Sequence, residues 1–331
     1  MPTAELTSIA VIVVNYGTYQ LALQAVQSVL DQPNKGHRVH VHLVDNHSPK
    51  GDAAALALAM ADRGWQDRVT FWPEAVNHGF GRGNNVVIHA LMRGENAPDY
   101  VMLLNPDAHV ANDAVGLLAD YLDDHPQAGA VGASVLDPDG QPVAAAFRFP
   151  SVLSELITAI NLGVLSRLFR HALVPLPADQ PRGPVDWVTG AAVMFRMERL
   201  RALDGFDPDF FLYFEEVELM HRITRSGAEV HYNPEARVTH VEGAATEVKG
   251  TTAQRKAKPG YWYRSWRLYH LKTRGRAGAL LAAAAWMVGA AINWILSRLR
   301  GRSPLMPLNF YRDFWRAVVW PLLVGRDIDH V

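Results

Sequence analysis

Short apolar runs alternate with amphipathic segments over the first 125 residues. Because polar residues, glycine or proline bound each apolar run, the pattern predicts strands at residues 8–15, 38–44, 69–72 and 100–104. The spacing of apolar positions predicts helices over residues 19–30, 51–63 and 86–92, and a further helix that ends at residue 120. Strands and helices that alternate at this spacing are typical of an α/β fold with a mostly parallel sheet flanked by helices.

The chain is less regular after residue 140. Residues 151–173 predict one amphipathic helix that packs on the core, in preference to a lipid-facing helix. Its apolar side would carry Leu153, Leu156, Ile157, Ile160, Val164 and Leu168. Residues 185–195 predict a turn that leads into another strand.

Three predicted strands end in the polar residues Asn15, Asp45 and Asp107. Ligands of parallel sheets lie just beyond the carboxyl ends of the strands, so we expect these side chains to line one pocket. Asp107, on a turn that Pro106 stiffens, is placed to hold a divalent cation, since Mg²⁺ prefers oxygen ligands shared with substrate phosphates. The alternative is that each residue ends its strand or caps the following helix, as Asp107 could cap a helix after residue 112.

A glycine-rich turn at residues 77–85, with the sequence NHGFGRGNN, separates the second and third of these ends. Glycines let backbone N–H groups approach a phosphate at a helix N-terminus. The turn lacks the G-x-G-x-x-G spacing and does not follow the first strand, so it gives a dehydrogenase little support. A tight loop that needs positive φ remains the structural alternative.

Aromatic residues crowd the stretch 210–221, FFLYFEEVELMH, beside Glu215, Glu216 and Glu218. Buried aromatic surroundings raise the pKa of a carboxyl, which suits a general base. The alternative is an exposed acidic start of a helix. His240 ends a short β-like run and is either structural or a second ligand to a metal on Asp107.

Composition and charge exclude some kinds of site and partner. The 331-residue chain has no cysteine, which excludes disulfides and thiolate metal sites. The first 248 residues hold 17 basic and 30 acidic residues, whereas the rest hold 15 and 3. An acidic body argues against nucleic acid as a partner, and a basic, aromatic tail suits an anionic membrane surface. Residues 1–20 show no secretory signal pattern, so we expect none.

Residues 277–297 of the tail carry no charge and would span about 31 Å as a helix, barely the hydrocarbon core of a bilayer. We expect an interfacial or shallowly inserted helix pair, continued by Phe310, Trp315 and Trp320. A true membrane span and a soluble helical cap on the catalytic part are the alternatives.

Taken together, these segments resemble the inverting glycosyltransferases of family 2, in particular the bacterial rhamnosyltransferase-like branch that acts on polyprenol-linked sugars in cell-surface polysaccharide assembly. The resemblance covers about residues 8–275. It rests on the ordered motifs VIVVNYGTYQ, HLVDNHSPKGD, NHGFGRGNN, LLNPD, WVTGAAVMFR, DGFDPDFFLYFEEVEL and VTHVEG.

The resemblance implies roles for particular residues. The nucleotide-sugar site would comprise Asn15, Asp45, Asn77, Gly81, Arg82, Asn84 and Asn105. Asp107 matches the last carboxylate of a D-x-D-like metal motif whose first position is Asn105 here, and His240 would contact the metal or diphosphate. Trp187 and Gly190 match the acceptor-side loop. Glu216 matches the catalytic base, with Glu215 as the other candidate because the family's Glu-Asp pair is Glu-Glu here.

The resemblance also implies a GT-A-type nucleotide-diphospho-sugar transferase fold with a C-terminal helical membrane-associating appendage. Residues 1–250 would be the catalytic domain, with a nucleotide-binding half at 1–110 and an acceptor-side half at 111–250, and residues 251–331 the appendage. The expected cofactor is Mg²⁺ or Mn²⁺. The expected partners are a dTDP-, UDP- or GDP-sugar, a polyprenol-linked or glycan acceptor, the membrane surface and a second copy of the chain in a homo-oligomer.

The implied reaction is transfer of a sugar, L-rhamnose from dTDP-rhamnose in the first instance, at the cytoplasmic face of the plasma membrane. Transfer of a mannosyl or galactofuranosyl group is the alternative within the class. A sugar nucleotidyltransferase would need a basic triphosphate loop, and residues 15–20 contain no Lys or Arg. A non-catalytic sugar-binding module is the third alternative.

Overall fold

The structure is a computed structural model that describes residues 7–240 and 256–325. The strands are β1 Ser8–Asn15, β2 Arg38–Asp45, β3 Val69–Pro73, β4 Tyr100–Leu104, β5 Ala108–Val110, β6 Ala128–Leu136, β7 Pro142–Val143, β8 Ala146–Phe147, β9 Gly183–Val185, β10 Trp187–Val188, β11 Ala192–Arg196 and β12 Glu229–His240. The helices are α1 Tyr19–Leu30, α2 Asp52–Asp62, α3 Gly79–Arg93, α4 Ala114–Asp124, α5 Val152–Ile160, α6 Gly163–Leu168, α7 Met197–Leu203, α8 Glu215–Arg225, α9 Gly260–Leu299, α10 Phe310–Phe314 and α11 Trp320–Val324.

One mixed sheet forms the centre of the molecule, in the order β3-β2-β1-β4-β11-β6-β12-β5. Strands β3, β2, β1 and β4 are parallel, as the alternating pattern predicts. Strand β11 then inserts antiparallel between β4 and β6, and β12 runs parallel to β6. The expected α/β sheet is confirmed, and its second half is mixed rather than parallel.

The core consists of the apolar strands and the helices that pack on them. All five residues of β4 are buried, as are seven of the eight in β1, because helices cover both faces of these strands. Helices α3, α7 and α8 pack against one another, while α1 and α4 lie against β5, β6 and β12. The carboxyl ends of β1, β2 and β4 therefore meet at one edge of the sheet.

Two predicted elements differ from the structure. Helix α3 begins at Gly79 rather than at residue 86, so the glycine-rich turn is the first part of the helix. The single helix predicted over residues 151–173 is wrong: α5 ends at Ile160, the next residue Asn161 has a left-handed φ of 49°, and α6 is a separate short helix. Ile157 and Ile160 are buried, but Val164 and Leu168 are each 68% exposed.

The C-terminal helices form a second core. Helix α9 breaks at Gly275, which has φ 68° and ψ 176°, into two helical parts. The second part packs on α5, and a Cβ at Gly289 would lie 2.7 Å from the Leu156 carbonyl oxygen. Residues 310–324 are one helical stretch with a π-helical turn at Trp315–Val319, just before Pro321, which lacks a backbone N–H.

Helix α9 is apolar on its outer side as well. Leu281, Val288 and Ile295, which share one helical face, are at least half exposed. By length and composition α9 could cross a membrane, and 39% of its most apolar window is buried in the protein. The packed side of α9 agrees with the expectation of a soluble cap on the catalytic part, whereas its exposed apolar side agrees with the expectation of membrane contact.

Candidate active site

The ends of β1 and β2 are joined by a buried polar network. Asn15 and Asp45 are paired across the two strands, and the Asn15 side-chain amide donates to Asp45 Oδ1 at 2.9 Å. The same amide donates to Asp52 Oδ2 at 3.1 Å, and the Ser48 hydroxyl donates to Asp45 Oδ1 at 2.6 Å. The predicted convergence of Asn15 and Asp45 is therefore observed.

Asn46, which the sequence analysis did not single out, organises the glycine-rich turn. Its side-chain amide donates to Asn77 Oδ1 at 3.1 Å and to the Gly79 carbonyl at 2.9 Å. Its Oδ1 accepts from the His78 backbone N–H at 2.9 Å. Asn46 lies in the HLVDNHSPKGD motif directly after Asp45, so its position beyond a strand end was the available signal.

The glycines of this turn permit close packing. A Cβ at Gly79, where φ is 76°, would lie 1.8 Å from the Phe211 carbonyl oxygen. A Cβ at Gly81 would lie 3.0 Å from the Phe206 side chain. The positive φ expected of a tight loop is thus present at Gly79, and the turn is pressed against the segment that precedes Glu215.

Two other predicted residues of this turn are held by hydrogen bonds within α3. Asn84 is buried and its amide donates to the Phe80 carbonyl at 3.0 Å. Arg82 Nε donates to the His78 carbonyl at 2.9 Å, and its guanidinium lies 5.9 Å from the centroid of the Phe211 ring. These contacts fix the turn.

The end of β4 meets the end of β12. His240 Nε2 lies 3.0 Å from Asp107 Oδ1, and 3.5 Å from Asn105 Nδ2. The antiparallel pairing of β12 with β5 places His240 opposite Ala108, directly after Asp107. The alternative that Asp107 caps the next helix is wrong, since β5 follows it and α4 begins only at Ala114. Asp107 and His240 are thus brought together as predicted.

The two ligand atoms, one on Asp107 and one on His240, fit a divalent cation that a phosphate also binds. Cis ligands of Mg²⁺ or Mn²⁺ at about 2.1 Å lie about 3 Å apart, which matches the observed separation of Asp107 Oδ1 and His240 Nε2. No group of three or more His, Asp or Glu side chains that could hold a metal occurs within residues 7–240 and 256–325. A metal here would therefore need further ligands from a substrate or water.

Glu215 and Glu216 begin α8. Glu215 is 2% exposed, and its Oε2 has no hydrogen-bond partner within the described part of the chain. Glu216 is half-buried. The preceding residues Tyr213 and Phe214 both have left-handed φ, 72° and 70°, which is uncommon for aromatic residues. The alternative of an exposed acidic helix start is wrong for Glu215, which begins the helix but is buried.

Burial raises the pKa of both carboxyl groups. For Glu215 the pKa lies well above its usual range because of burial and, next, repulsion by Glu216. For Glu216 burial raises the pKa, whereas the backbone N–H groups of Glu216 and Val217 oppose the rise. Backbone N–H groups at the start of α8 act against the effect of burial at both carboxyl groups, and the repulsion by Glu216 adds to the rise in the pKa of Glu215.

Gly190 lies between the glycine-rich turn, Glu216 and the end of β4. A Cβ at Gly190 would lie 3.3 Å from the Phe80 ring and 3.8 Å from Glu216 Cγ. The next residue, Ala191, accepts a hydrogen bond from the Asn105 backbone N–H at 2.9 Å. The glycine-rich turn, the Glu216 side chain and the end of β4 thus border the same region.

Trp187 is fixed by its own contacts. Its ring stacks on Phe147 with centroids 4.1 Å apart, and its indole N–H donates to the Arg148 carbonyl at 2.9 Å. These contacts hold the wall of the site that β8 and β10 form, and a role in contacting an acceptor stays a prediction. Residues 241–243 of the VTHVEG motif lie outside the described residues.

Comparison with known proteins identifies the class. The family described as "Glycosyltransferase like family 2" matches residues 7–259, well over half of the chain. The chain therefore belongs to glycosyltransferase family 2, and the resemblance seen in its motifs is confirmed. Family membership also removes the dehydrogenase and nucleotidyltransferase alternatives.

Among its relatives are two rhamnosyltransferases. The chain is 29% identical over 220 residues to the N-acetylglucosaminyl-diphospho-decaprenol L-rhamnosyltransferase of Mycobacterium tuberculosis, an alignment that covers 63% of this chain and 68% of that protein. It is 26% identical over 166 residues to Rhamnosyltransferase WbbL of Escherichia coli K12, covering 49% of this chain and 61% of that protein.

Solved structures show the same fold. GalNAc-T7 with UDP, GalNAc and Mn²⁺ superposes with a TM-score of 0.58 at 13% identity, covering 97% of this chain but only 58% of that one. Mannosyltransferase PcManGT of Pyrobaculum calidifontis, with GDP-Man and Mn²⁺, gives 0.55 at 16% identity, covering 91% and 78%. At these identities the likeness concerns the fold, and it confirms the GT-A type.

Proposed function

We propose that this protein is an inverting glycosyltransferase that moves a sugar from a nucleotide-sugar to a hydroxyl of a lipid-linked or polysaccharide acceptor. The observation that carries the proposal is the neighbourhood of Gly190. It borders the Glu216 side chain on one side and, through Ala191, the strand end that leads to Asp107 on the other. This neighbourhood supports a base and a diphosphate-binding end that serve the same sugar.

The carboxylates around the strand ends support a cation in the donor site. Asp45, Asp52 and Asp107 are all buried, and an anionic diphosphate beside them would be repelled. Asp107 and His240 are the residues that would hold Mg²⁺ or Mn²⁺. When bound, the ion supplies positive charge that stabilises the leaving diphosphate.

Glu216 is assigned as the base. Its carboxylate takes the proton of the acceptor hydroxyl while that oxygen bonds to the anomeric carbon. The bond from this carbon to the diphosphate oxygen breaks, and the electron pair leaves with the nucleoside diphosphate. A single displacement inverts the anomeric centre and needs no covalent intermediate on the enzyme.

Substitution of Glu216 by Gln tests the assignment. Loss of a general base is expected to lower kcat by roughly 10²- to 10⁴-fold while donor affinity changes little. Glu198→Gln, at the exposed first turn of α7, is the matched control. If the protein were a non-catalytic sugar-binding module, neither the unmodified chain nor the variant would show turnover. Full turnover in Glu216→Gln would remove this residue as the base and leave Glu215 as the candidate.

L-rhamnose from dTDP-rhamnose is the proposed donor group, and an N-acetylglucosaminyl-diphospho-polyprenol the proposed acceptor. The names of the two relatives support this choice. The alternative is another hexose, such as a mannosyl or galactofuranosyl group, since the hexosyltransferase Agl10 of Haloferax volcanii is a further relative at 24% identity. Thermal stabilisation by a panel of nucleotide-sugars with Mg²⁺ tests the donor, because the true donor raises stability as RT ln(1 + [L]/Kd).

The C-terminal helices are proposed to lie on the cytoplasmic face of the plasma membrane, where a polyprenol-linked acceptor would be met. The exposed side chains Leu281, Val288 and Ile295, together with Trp315 and Trp320, support an apolar contact. Exposed arginines at 298, 300 and 302 support attraction to anionic lipid. The proposed boundary between the catalytic domain and this region, at residue 250, lies outside the described residues.

Flotation with vesicles tests the membrane proposal. The full chain is expected to float with vesicles of phosphatidylglycerol and less with phosphatidylcholine alone, and Trp315→Ala/Trp320→Ala to lower the bound fraction. Trp65→Phe, in the buried core, is the control for a lost tryptophan. Equal binding of the double variant and the unmodified chain would contradict the proposed contact.

A further inference from the structure

The backbone directly before the glutamate pair follows a strained path. Residues 207–214, here called the pre-base segment, end in Tyr213 and Phe214 with φ of 72° and 70°. Such conformations persist only where the surroundings hold them. The direction of the Glu216 side chain depends on this path, because α8 starts immediately after it.

The donor side holds one face of the pre-base segment. The Phe211 carbonyl accepts a hydrogen bond from the Phe80 backbone N–H at 3.1 Å. The absence of a Cβ at Gly79 is what permits this approach.

The first part of α9 holds the other face. The Ser265 hydroxyl, 2% exposed as a residue, donates to the Leu212 carbonyl at 2.9 Å. Lys272 Nζ lies 2.7 Å from a carboxylate oxygen of Asp207 and 2.7 Å from one of Asp209. Through these polar contacts α9 reaches the segment at its start and again at Leu212.

Aromatic contacts complete this face. The ring of Tyr261 lies 5.7 Å from that of Phe211 and 6.1 Å from that of Tyr213. Phe214, the residue before Glu215, lies 5.8 Å from Trp262 in a T-shaped contact. The two left-handed residues are therefore both seated against α9.

We propose that residues 260–274 of α9 are a positioning element of the active site, in which Ser265 and Lys272 hold the pre-base segment on its strained path and so fix the direction of the Glu216 carboxylate. Neither residue is assigned contact with substrate. The proposal rests on the proposed function in taking Glu216 as the base. It gives the C-terminal helices a role in catalysis that is separate from membrane contact.

Hydrogen exchange and kinetics on the full chain test this proposal. Ser265→Ala and Lys272→Met are expected to speed amide exchange over residues 207–216. With dTDP-L-rhamnose, Mg²⁺ and N-acetylglucosaminyl-diphospho-polyprenol in detergent, the double variant is expected to lose up to about 10²-fold in kcat, the cost of a small misplacement, with KM for the donor nearly unchanged. Ser297→Ala, in the same helix, and Lys272→Arg, which keeps the charge, are expected to behave as the unmodified chain.

Unchanged exchange over residues 207–216 in both variants would overturn the proposal, as would unchanged kcat in the double variant. If Ser265→Ala fails to fold, Lys272→Met decides, since Lys272 lies at the surface. If these substrates give no turnover with the unmodified chain, exchange decides. An inactive Glu216→Gln beside a fully active double variant removes only the positioning role, whereas an active Glu216→Gln removes the base assignment.

Discussion

Glu215 is expected to destabilise the folded protein at neutral pH. Its carboxyl is buried beside Glu216, and burial followed by that repulsion raises its pKa well above the usual range. A carboxyl group whose pKa is raised in the folded state stabilises that state, and this contribution is complete below the unfolded pKa, near 4.3. That contribution is lost as the pH rises through the folded pKa. Glu215→Gln removes the titration and nearly keeps the shape.

The expected gain of the variant follows from this linkage. Between about pH 4.3 and the folded pKa, the free energy of unfolding of Glu215→Gln should rise relative to the unmodified chain by about 1.4 kcal/mol per pH unit. Each kcal/mol corresponds to a rise in Tm of about 2–4 °C for domains of 150–250 residues. The two proteins should differ little at the acid end of this range.

Urea unfolding of both proteins at intervals across about pH 4 to 8 measures the difference. Glu198→Gln makes the same chemical change at an exposed helix start and should give a nearly flat difference. A Glu215→Gln variant that is less stable than the unmodified chain at the alkaline end would refute the reasoning. It would mean that the Glu215 carboxylate is ionised and well solvated or paired in the folded state.

Two further predictions concern the donor site. Asp107→Asn and His240→Ala are each expected to weaken Mn²⁺ binding by at least about 10-fold, because each removes a ligand atom, and so to reduce the thermal stabilisation that dTDP-rhamnose with Mn²⁺ provides. Asn46→Ala is expected to lower the free energy of unfolding by about 1–3 kcal/mol, because it leaves the buried hydrogen-bonding groups of the glycine-rich turn without partners.

Matched variants control both measurements. His89→Ala replaces another histidine, in α3, and should leave the Mn²⁺-dependent stabilisation unchanged. Asn96→Ala replaces an exposed asparagine and should leave the free energy of unfolding unchanged. Full Mn²⁺ dependence in His240→Ala would count against its role as a ligand. A stability of Asn46→Ala equal to that of Asn96→Ala would mean that water replaces the lost hydrogen bonds.

The first half of the fold was predictable because its signals are local. Strand β1 is an apolar run that ends at Asn15, β2 alternates and ends at Asp45, and β4 is an apolar run followed by polar Asn105, while the ends of β1 and β2 meet as their parallel pairing requires. The grouping of Asn15 with Asp45 follows directly. The meeting of Asp107 with His240 was expected only as one of two alternatives, since it depends on pairing across 133 residues.

Other features depended on packing that no local pattern reveals. Helix α3 begins inside the glycine-rich turn, where Phe211 approaches Gly79 in a contact between segments far apart in sequence. The break after α5 depends on Asn161, whose left-handed conformation ends the helix although the apolar spacing continues. Glu215 is buried, which the aromatic residues of its sequence stretch indicated, although the sequence also allowed an exposed helix start.

The insertion of β11 between β4 and β6 has a consequence for partial chains. Strand β4 is buried along its whole length, yet its second neighbour comes from residues 192–196. A fragment that ended near residue 110 would present the backbone of β4 as an open, apolar edge, which is a template for aggregation. Residues 1–110, the predicted nucleotide-binding half, should therefore not be recoverable as a soluble module, and a ribosome-bound chain would need to emerge past residue 196 before this edge is closed.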